Sequence, residues 1–191
     1  MNELKNPTPL QAAMMRSMEK LFDDLRVEMM RRIRIGSYDP QPAMVYPFSD
    51  PPNTSIKYLS VHHSASRADV SREDVLVWHH NNGWPGDASG YHVFIKADGE
   101  VEWGDMDATL KYTVGAKNAD TLGVCLAGNF HPSDRGYTGH PTPQQYESLR
   151  NVLAVWQSRY PNAEVVPHRY FGGTVCPGDV LATWLEENYA D

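Results

Sequence analysis

Apolar side chains define one amphipathic stretch near the start of the chain. Between Leu10 and Ile35 they recur at three- and four-residue steps with charged side chains between them, which is the spacing of one helix face. Gly36 stands where a C-terminal cap is expected, so residues 1–36 are assigned to an N-terminal helical segment. Residues 37–53 are rich in proline, which forbids a helix and predicts an extended linker.

From residue 54 the pattern changes to strands that alternate with helices. Residues 57–62 alternate as a strand does, and residues 121–127 form an apolar run that is typical of a central strand. The alternation predicts an α/β domain over residues 54–191, built on a mixed central β-sheet flanked by helices. The remaining predicted elements are strands over 91–96, 101–103 and 165–166, and helices over 71–82, from 142 onward and over 182–189.

The first helix of this domain has a recognisable start and a buried face. Ser71 is the expected N-cap, and Asp74 stands three residues later, as in a capping box. Val75, Trp78 and His79 share one side of the helix. We therefore expect these side chains to face the core.

Composition and charge narrow the classes of function. Hydrophobic residues make up 41% of the chain, enough for one core. Seventeen Lys and Arg against 24 Asp and Glu give a formal charge of −7, which disfavours nucleic acid as a partner because phosphate binding needs basic surface. No segment reaches the roughly 18 apolar residues that span a bilayer, and the N-terminus lacks the apolar core of a signal peptide. We therefore expect no stable membrane insertion, and synthesis in the cytoplasm without an export signal.

Three places in the α/β domain combine metal-ligand residue types with strand ends or loops. They are the His62-His63 pair, His168, and Cys176 at the end of a loop with two glycines. Two imidazoles and one thiolate form a three-ligand set that leaves a zinc ion one open position for water. Only one of His62 and His63 can point at the metal, because neighbouring strand residues face opposite ways. From these residues alone, an incidental histidine pair and a cysteine that is simply buried remain open alternatives.

Five motifs of this domain occur in one order along the chain. This series resembles the type 2 N-acetylmuramoyl-L-alanine amidases, a family that includes phage endolysins and peptidoglycan recognition proteins. The resemblance covers about residues 56–187. The motifs are VHHSA at 61–65, WHHNNGW at 78–84, GYHVFIKADG at 90–99, GVCLAGNF at 123–130 and the segment from His168 to Pro177.

The resemblance implies one zinc ion bound by His62, His168 and Cys176. The reaction that the resemblance implies is hydrolysis of the amide bond between N-acetylmuramic acid and L-alanine. In this reaction zinc activates water and polarises the carbonyl. Tyr91 and Thr174 match catalytic positions of the family, where their hydroxyls would stabilise the oxyanion. Thr174 follows the catalytic recognition proteins, since some phage members have Lys at that position.

Peptidoglycan is therefore the expected partner, with its glycan strand and stem peptide. The expected substrate-binding residues are His63, Trp84 and Asn118. One departure lies close to Asn118. Family members often have a histidine before the Gly-Ala-x-Asn stretch that borders the substrate groove, whereas this chain has Val114 there.

Three functions remain to be separated. We expect a phage or prophage endolysin that reaches the cell wall of the host after a separate protein permeabilises the membrane. A recognition module that binds peptidoglycan without cutting it is the first alternative, although non-catalytic family members typically lack the cysteine found here as Cys176. A cytosolic amidase that recycles soluble muropeptides is the second. Activity on intact sacculi, rather than only on soluble fragments, would separate lysis from recycling.

The N-terminal helix over residues 1–36 has no counterpart in the family core. It can pack against its own amidase domain, or associate with a second copy of the chain through its apolar stripe. Contact with a membrane surface is a third interpretation, because basic residues flank a methionine-rich face. Acidic residues within the same helix weaken that last interpretation.

Overall fold

The computed structural model of the chain describes residues 48, 52–86, 90–105, 107 and 109–189. The helix predicted over residues 1–36 and most of the predicted linker lie outside the described residues. Within the described part of the chain, no helix has the length and apolar character needed to cross a membrane.

Five strands form one mixed sheet, as the sequence predicted. Their order across the sheet is β3-β2-β4-β1-β5. The pairs β1–β4, β1–β5 and β2–β4 are parallel, and β2–β3 is an antiparallel hairpin. The run predicted to be central is indeed the middle strand, and all of its residues are buried. The strands are β1 (Tyr58–His63), β2 (Val93–Ile95), β3 (Val101–Trp103), β4 (Thr121–Leu126) and β5 (Glu164–Pro167).

Among the described residues, three α-helices flank the sheet, and two of them begin with a capping box. They are α1 (Arg72–Asn81), α2 (Pro143–Arg159) and α3 (Asp179–Tyr189). At the start of α1, the Ser71 hydroxyl accepts the Asp74 N–H, and the Asp74 carboxylate accepts the Ser71 N–H. The helix α2 has the same reciprocal pair, formed by Thr142 and Gln145. Such caps contribute about 1 kcal/mol each and fix where a helix begins.

The two faces of the sheet have different roles. One face packs leucine, valine and isoleucine side chains of β1, β2 and β4 against α2 and α3, with Trp156 and Leu181 fully buried between them. The other face meets α1 through a smaller cluster that contains Val75, Phe94 and Cys125. Because side chains alternate along a strand, His62 belongs to this second face.

The structure corrects one predicted core residue and several boundaries. Trp78 was expected on the core face of α1, but it is 39% exposed. The buried side of α1 is centred between Val75 and His79, since Leu76 and His79 both contact Gly90, and Trp78 lies at its margin. The strand β2 is shorter than predicted, and its pairings with β3 and β4 each span the same three residues. The last helix begins at Asp179, three residues earlier than predicted, directly after the Pro177-Gly178 pair.

Candidate active site

Two histidines and one cysteine meet at one end of the sheet. His62, His168 and Cys176 each offer a ligand atom, and these atoms all lie within 4.8 Å of one another. The His62 Nδ1 lies 3.8 Å from the Cys176 Sγ, and the centroids of the two imidazoles are 4.5 Å apart. His62 is fully buried and Cys176 is 9% exposed, whereas His168 is only half-buried. The cluster is therefore reached from solvent beside His168.

Parallel neighbours in the sheet explain why the two histidines meet. His62 lies near the end of β1, and His168 directly follows β5, which runs parallel beside it. Chain segments that leave parallel strands emerge at the same edge of a sheet. The topology thus brings together side chains that are more than a hundred residues apart in sequence.

A closed loop returns Cys176 to His168. The Arg169 N–H donates to the Cys176 carbonyl at 2.8 Å, which joins the two ends of the loop. The Arg169 guanidinium donates to the Val175 carbonyl and, at 2.8 Å, to the Asp179 carboxylate at the start of α3. Gly172 lies in the turn of the loop with φ +87°, a conformation that favours glycine.

Gly178 allows this loop to pack against the rest of the domain. Its φ is +87°, and a Cβ there would lie 2.3 Å from the carbonyl carbon of Phe130. Any side chain at this position would collide with backbone. The segment that contains Cys176 therefore approaches the end of β4 only because residue 178 is glycine.

The paired histidines of β1 point in opposite directions. The His62 ring lies in the cluster, with its Nε2 3.0 Å from the Ser60 Oγ. His63 faces the other side of the sheet, where its Nδ1 accepts the Phe130 N–H at 3.1 Å. His63 is 5% exposed. The structure therefore brings His62 to the ligand cluster and uses His63 in a backbone contact.

Burial sets the protonation of the cluster. Burial, followed by the neighbouring His168, lowers the pKa of His62 well below 6.5, and burial also lowers the pKa of His168. Both imidazoles are therefore neutral near pH 7, as ligand nitrogens must be. Burial raises the pKa of the Cys176 thiol to about 12. A metal binds the thiolate, so metal binding would displace the thiol proton.

Two hydroxyl groups lie close to the ligands. The Tyr91 ring centroid is 4.9 Å from that of His62, and its side chain packs against the buried cluster that contains Cys125. Burial raises the pKa of Tyr91 well above 10, which keeps the phenol protonated. The Thr174 Oγ1 accepts the Cys176 N–H at 3.1 Å. Since that oxygen is the acceptor, its own proton can be donated elsewhere.

Comparison with known sequences identifies the family of the chain. The profile of the family described as N-acetylmuramoyl-L-alanine amidase matches residues 52–179. This chain belongs to that family. The endolysin of Klebsiella phage KP32 is 35% identical over 137 residues, which are 68% of this chain and 85% of the relative. The endolysin of Escherichia phage T7 is 33% identical over 133 residues, with coverage of 68% and 85%.

Solved structures share the fold of this amidase domain. The amidase LysC from Clostridium intestinale URNW superposes with a TM-score of 0.58 at 25% identity, over 67% of this chain and 80% of that one. Drosophila PGRP-LB gives a TM-score of 0.60 at 21% identity, over 70% and 81%, and shows the similarity of fold alone. The family resemblance and the mixed α/β fold inferred from the sequence are both confirmed.

Aromatic rings connect the ligand cluster of the amidase to its surface. Beyond His62 and Tyr91, the ring of His79 lies 5.7 Å from Tyr91 and 4.2 Å from Trp84, centroid to centroid. Trp84 is 37% exposed and makes an edge contact with Tyr112. Trp84, expected to bind substrate, thus lies at the exposed end of a series of rings that begins in the cluster.

The structure uses Asn118 within a loop of the amidase domain. The Asn118 Oδ1 accepts the N–H groups of Thr113 at 2.9 Å and Val114 at 2.8 Å. Val114, which stands at the expected position of the groove histidine, is buried. These two hydrogen bonds explain the conformation of the loop, because the Asn118 side chain binds two consecutive backbone amides.

Three residues of the amidase site were not predicted as part of it. Ser60 contacts His62, Cys125 belongs to the cluster on which Tyr91 packs, and the half-buried His79 accepts the Gly90 N–H at 2.8 Å. Strand alternation could have indicated Ser60, because it stands two residues before His62 and shares its face. The proximity of Cys125 and Tyr91 depends on a cross-strand register that the sequence does not specify.

Proposed function

We propose that this protein is a zinc-dependent N-acetylmuramoyl-L-alanine amidase. It would hydrolyse the amide bond between N-acetylmuramic acid and L-alanine in peptidoglycan, as a phage or prophage endolysin. The observation that supports the proposal is the convergence of His62, His168 and Cys176 within 4.8 Å in a chain of this family.

The donor set fits zinc. Tetrahedral zinc, with Zn–S about 2.3 Å and Zn–N about 2.0 Å, places its sulfur and nitrogen ligands about 3.6 Å apart. The Cys176 Sγ and the His62 Nδ1 are 3.8 Å apart, so a shift of a few tenths of an ångström suffices. Thiolate and imidazole favour zinc over magnesium or calcium. Three protein ligands, completed by His168, leave the open position of a catalytic site.

The hydroxyls of Tyr91 and Thr174 are the proposed catalytic donors. When bound, zinc supplies the Lewis acid that activates water near neutral pH and polarises the amide carbonyl. Attack at the carbonyl carbon moves negative charge onto its oxygen, and donors aimed at that oxygen lower the barrier. Tyr91 stays protonated because burial raises its pKa. The Thr174 Oγ1 is held beside Cys176 by the backbone N–H that it accepts.

Trp84 is the proposed contact for the sugar. Its ring centroid lies 4.2 Å from that of His79, with the two ring planes tilted by 48°, and the side chain remains 37% exposed. A rigid indole presents a large flat surface against which the apolar face of a pyranose can pack. Because the series of rings leads from Trp84 to His62, a sugar at this position would lie next to the bond to be cut.

The endolysin role rests on the relatives. Two proteins that match over most of their length are endolysins of bacterial viruses. We propose that this protein likewise acts on the host cell wall after release from the cytoplasm. A chain that cuts only soluble muropeptides and leaves intact sacculi unchanged would instead serve recycling. A chain that binds sacculi but cuts neither intact sacculi nor soluble muropeptides would be a recognition module.

Metal titration of two matched variants tests the zinc site. In Cys176→Ser we expect loss of tight zinc binding and of amide hydrolysis, because one of three ligands is removed. Cys125→Ser makes the same exchange at a cysteine outside the ligand set and should still bind one zinc. Zinc content is measured by elemental analysis after dialysis. Equal zinc content in Cys176→Ser and wild type would exclude this ligand set.

A further inference from the structure

Ser60 lies beneath the ligand cluster, in contact with a ligand and with no access to solvent. It stands two residues before His62 in β1, so both side chains project from the same face of the sheet. The Ser60 Oγ lies 3.0 Å from the His62 Nε2. Both residues have 0% exposure. Because neither group is accessible to solvent, a water molecule cannot replace either partner in this contact.

The other ring nitrogen of His62 faces the proposed metal position. The Nδ1 lies 3.8 Å from the Cys176 Sγ. An imidazole nitrogen binds a metal through its lone pair, so the single proton of the neutral ring must lie on Nε2. Only in that tautomer does Nε2 act as the donor toward Ser60.

We propose that Ser60 is a positioning residue for the metal centre, whose hydroxyl oxygen accepts the His62 Nε2–H and holds the ring with Nδ1 directed at the metal. A serine hydroxyl can either accept or donate. Because the metal requires the lone pair on Nδ1, the ring proton lies on Nε2, and the Ser60 hydroxyl acts as the acceptor. The inference rests on the zinc site proposed above.

Ser60 thereby fixes two properties of the ligand. It selects the tautomer, and it restrains rotation of the ring about its bond to the strand. Outer contacts of this kind typically change metal affinity or activity by about 10- to 100-fold when they are removed. More often the acceptor is a carboxylate or a backbone carbonyl. A serine hydroxyl adds no charge next to the buried cluster.

Zinc affinity of the full chain gives the first test, by competition with a chromophoric chelator. For Ser60→Ala we expect affinity weakened by about 10- to 100-fold. Ser60→Thr, which retains the hydroxyl, should bind more tightly than Ser60→Ala. Ser148→Ala is the matched control, because it removes a serine hydroxyl that donates to the Gly99 carbonyl in the hairpin. Equal affinity of Ser60→Ala and Ser148→Ala would overturn the proposal.

The second test uses the metal-free wild-type protein and does not depend on any variant folding. Nitrogen-15 NMR of histidine near neutral pH reports which ring nitrogen is protonated. We expect His62 as the Nε2–H tautomer. An Nδ1–H tautomer would mean that Ser60 donates instead of accepting, and would contradict the proposal.

Cobalt substitution separates this inference from the zinc site itself. Wild-type protein loaded with Co²⁺ should show a thiolate-to-cobalt charge-transfer band from Cys176. In Ser60→Ala the band should persist while the d–d bands change, because the orientation of His62 changes. Absence of the band in the wild type would reject the metal site, whereas identical spectra in both proteins would reject only the role of Ser60.

Discussion

Acidification should destabilise this protein through His92, a buried histidine between β2 and β4. His92 is 2% exposed, and both of its ring nitrogens have partners. The Nδ1 accepts the Gly123 N–H at 3.0 Å, and the Nε2 lies 2.8 Å from the Thr109 carbonyl, to which it donates. A second proton, on Nδ1, would point at the Gly123 N–H, so that two donors would face each other. Burial accordingly lowers the pKa of His92 to about 4.

The size and sign of the effect follow from that pKa. In the unfolded chain a histidine titrates near 6.5, so between about pH 6.5 and about pH 4 the unfolded state binds more protons than the folded one. The stabilisation is complete above the unfolded pKa and is lost as pH falls toward the folded pKa. The difference between the two pKa values corresponds to a free energy on the order of 3 kcal/mol. That is a large fraction of a typical stability of about 5–15 kcal/mol.

His92→Asn isolates this contribution. The Asn oxygen can still accept the Gly123 N–H, while the bond to Thr109 and the titrating group are lost. Urea unfolding of both proteins in chelator is measured from about pH 7.5 to about pH 4. We expect the variant to be less stable at the upper pH, with the gap narrowing by on the order of 3 kcal/mol as pH falls. Other buried histidines contribute to both curves, so parallel curves would refute the reasoning.

Four further substitutions test the site and the loop. Tyr91→Phe should retain zinc and lower kcat by roughly 10²- to 10³-fold, as loss of an oxyanion donor does; loss of zinc would instead make Tyr91 structural. Trp84→Ala should raise KM about tenfold with little change in kcat, because a stacking surface of about 1 kcal/mol is lost, and an unchanged KM would remove Trp84 from the sugar site. Gly178→Ala should lower the free energy of unfolding, measured in denaturant, by more than about 2 kcal/mol. Gly172 has the same φ of +87°, but no atom lies within 4 Å of an added Cβ there. Gly172→Ala should therefore lower the free energy of unfolding by only about 1 kcal/mol. Equal effects of the two alanines would contradict the contact with Phe130.

Local signals in the sequence predicted the framework of the fold. Ser71 with Asp74 indicated the start of α1, because capping chemistry is local. The run at β4 was recognised as central because every residue in it is apolar or small. Trp78 was misplaced because one buried valine cannot fix the rotation of a short helix. The rotation of α1 is set by the packing of Leu76 and His79 against Gly90. Gly90 belongs to a different segment, so the periodicity of the helix does not encode this contact.

The candidate site was predicted less by spacing than by resemblance. His62, His168 and Cys176 were proposed as one ligand set because family motifs placed them, and residue spacing alone left other interpretations open. Their convergence depends on the parallel pairing of β1 with β5, which no local pattern specifies. The proximity of Tyr91 and Cys125 likewise depends on which strands are neighbours, whereas Ser60 and His62 share one strand. A sequence can therefore indicate the ligand types, while their geometry follows from the sheet.

The central claim is tested most directly by mass spectrometry of purified sacculi digested with the zinc-loaded protein, with and without a chelator. We expect released stem peptides with a free N-terminal L-alanine, lost on chelation and restored by added zinc. In parallel digests, Cys176→Ser should release none of them. Release that persists in chelator, or products that retain the amide bond to N-acetylmuramic acid, would contradict a zinc amidase centred on His62, His168 and Cys176.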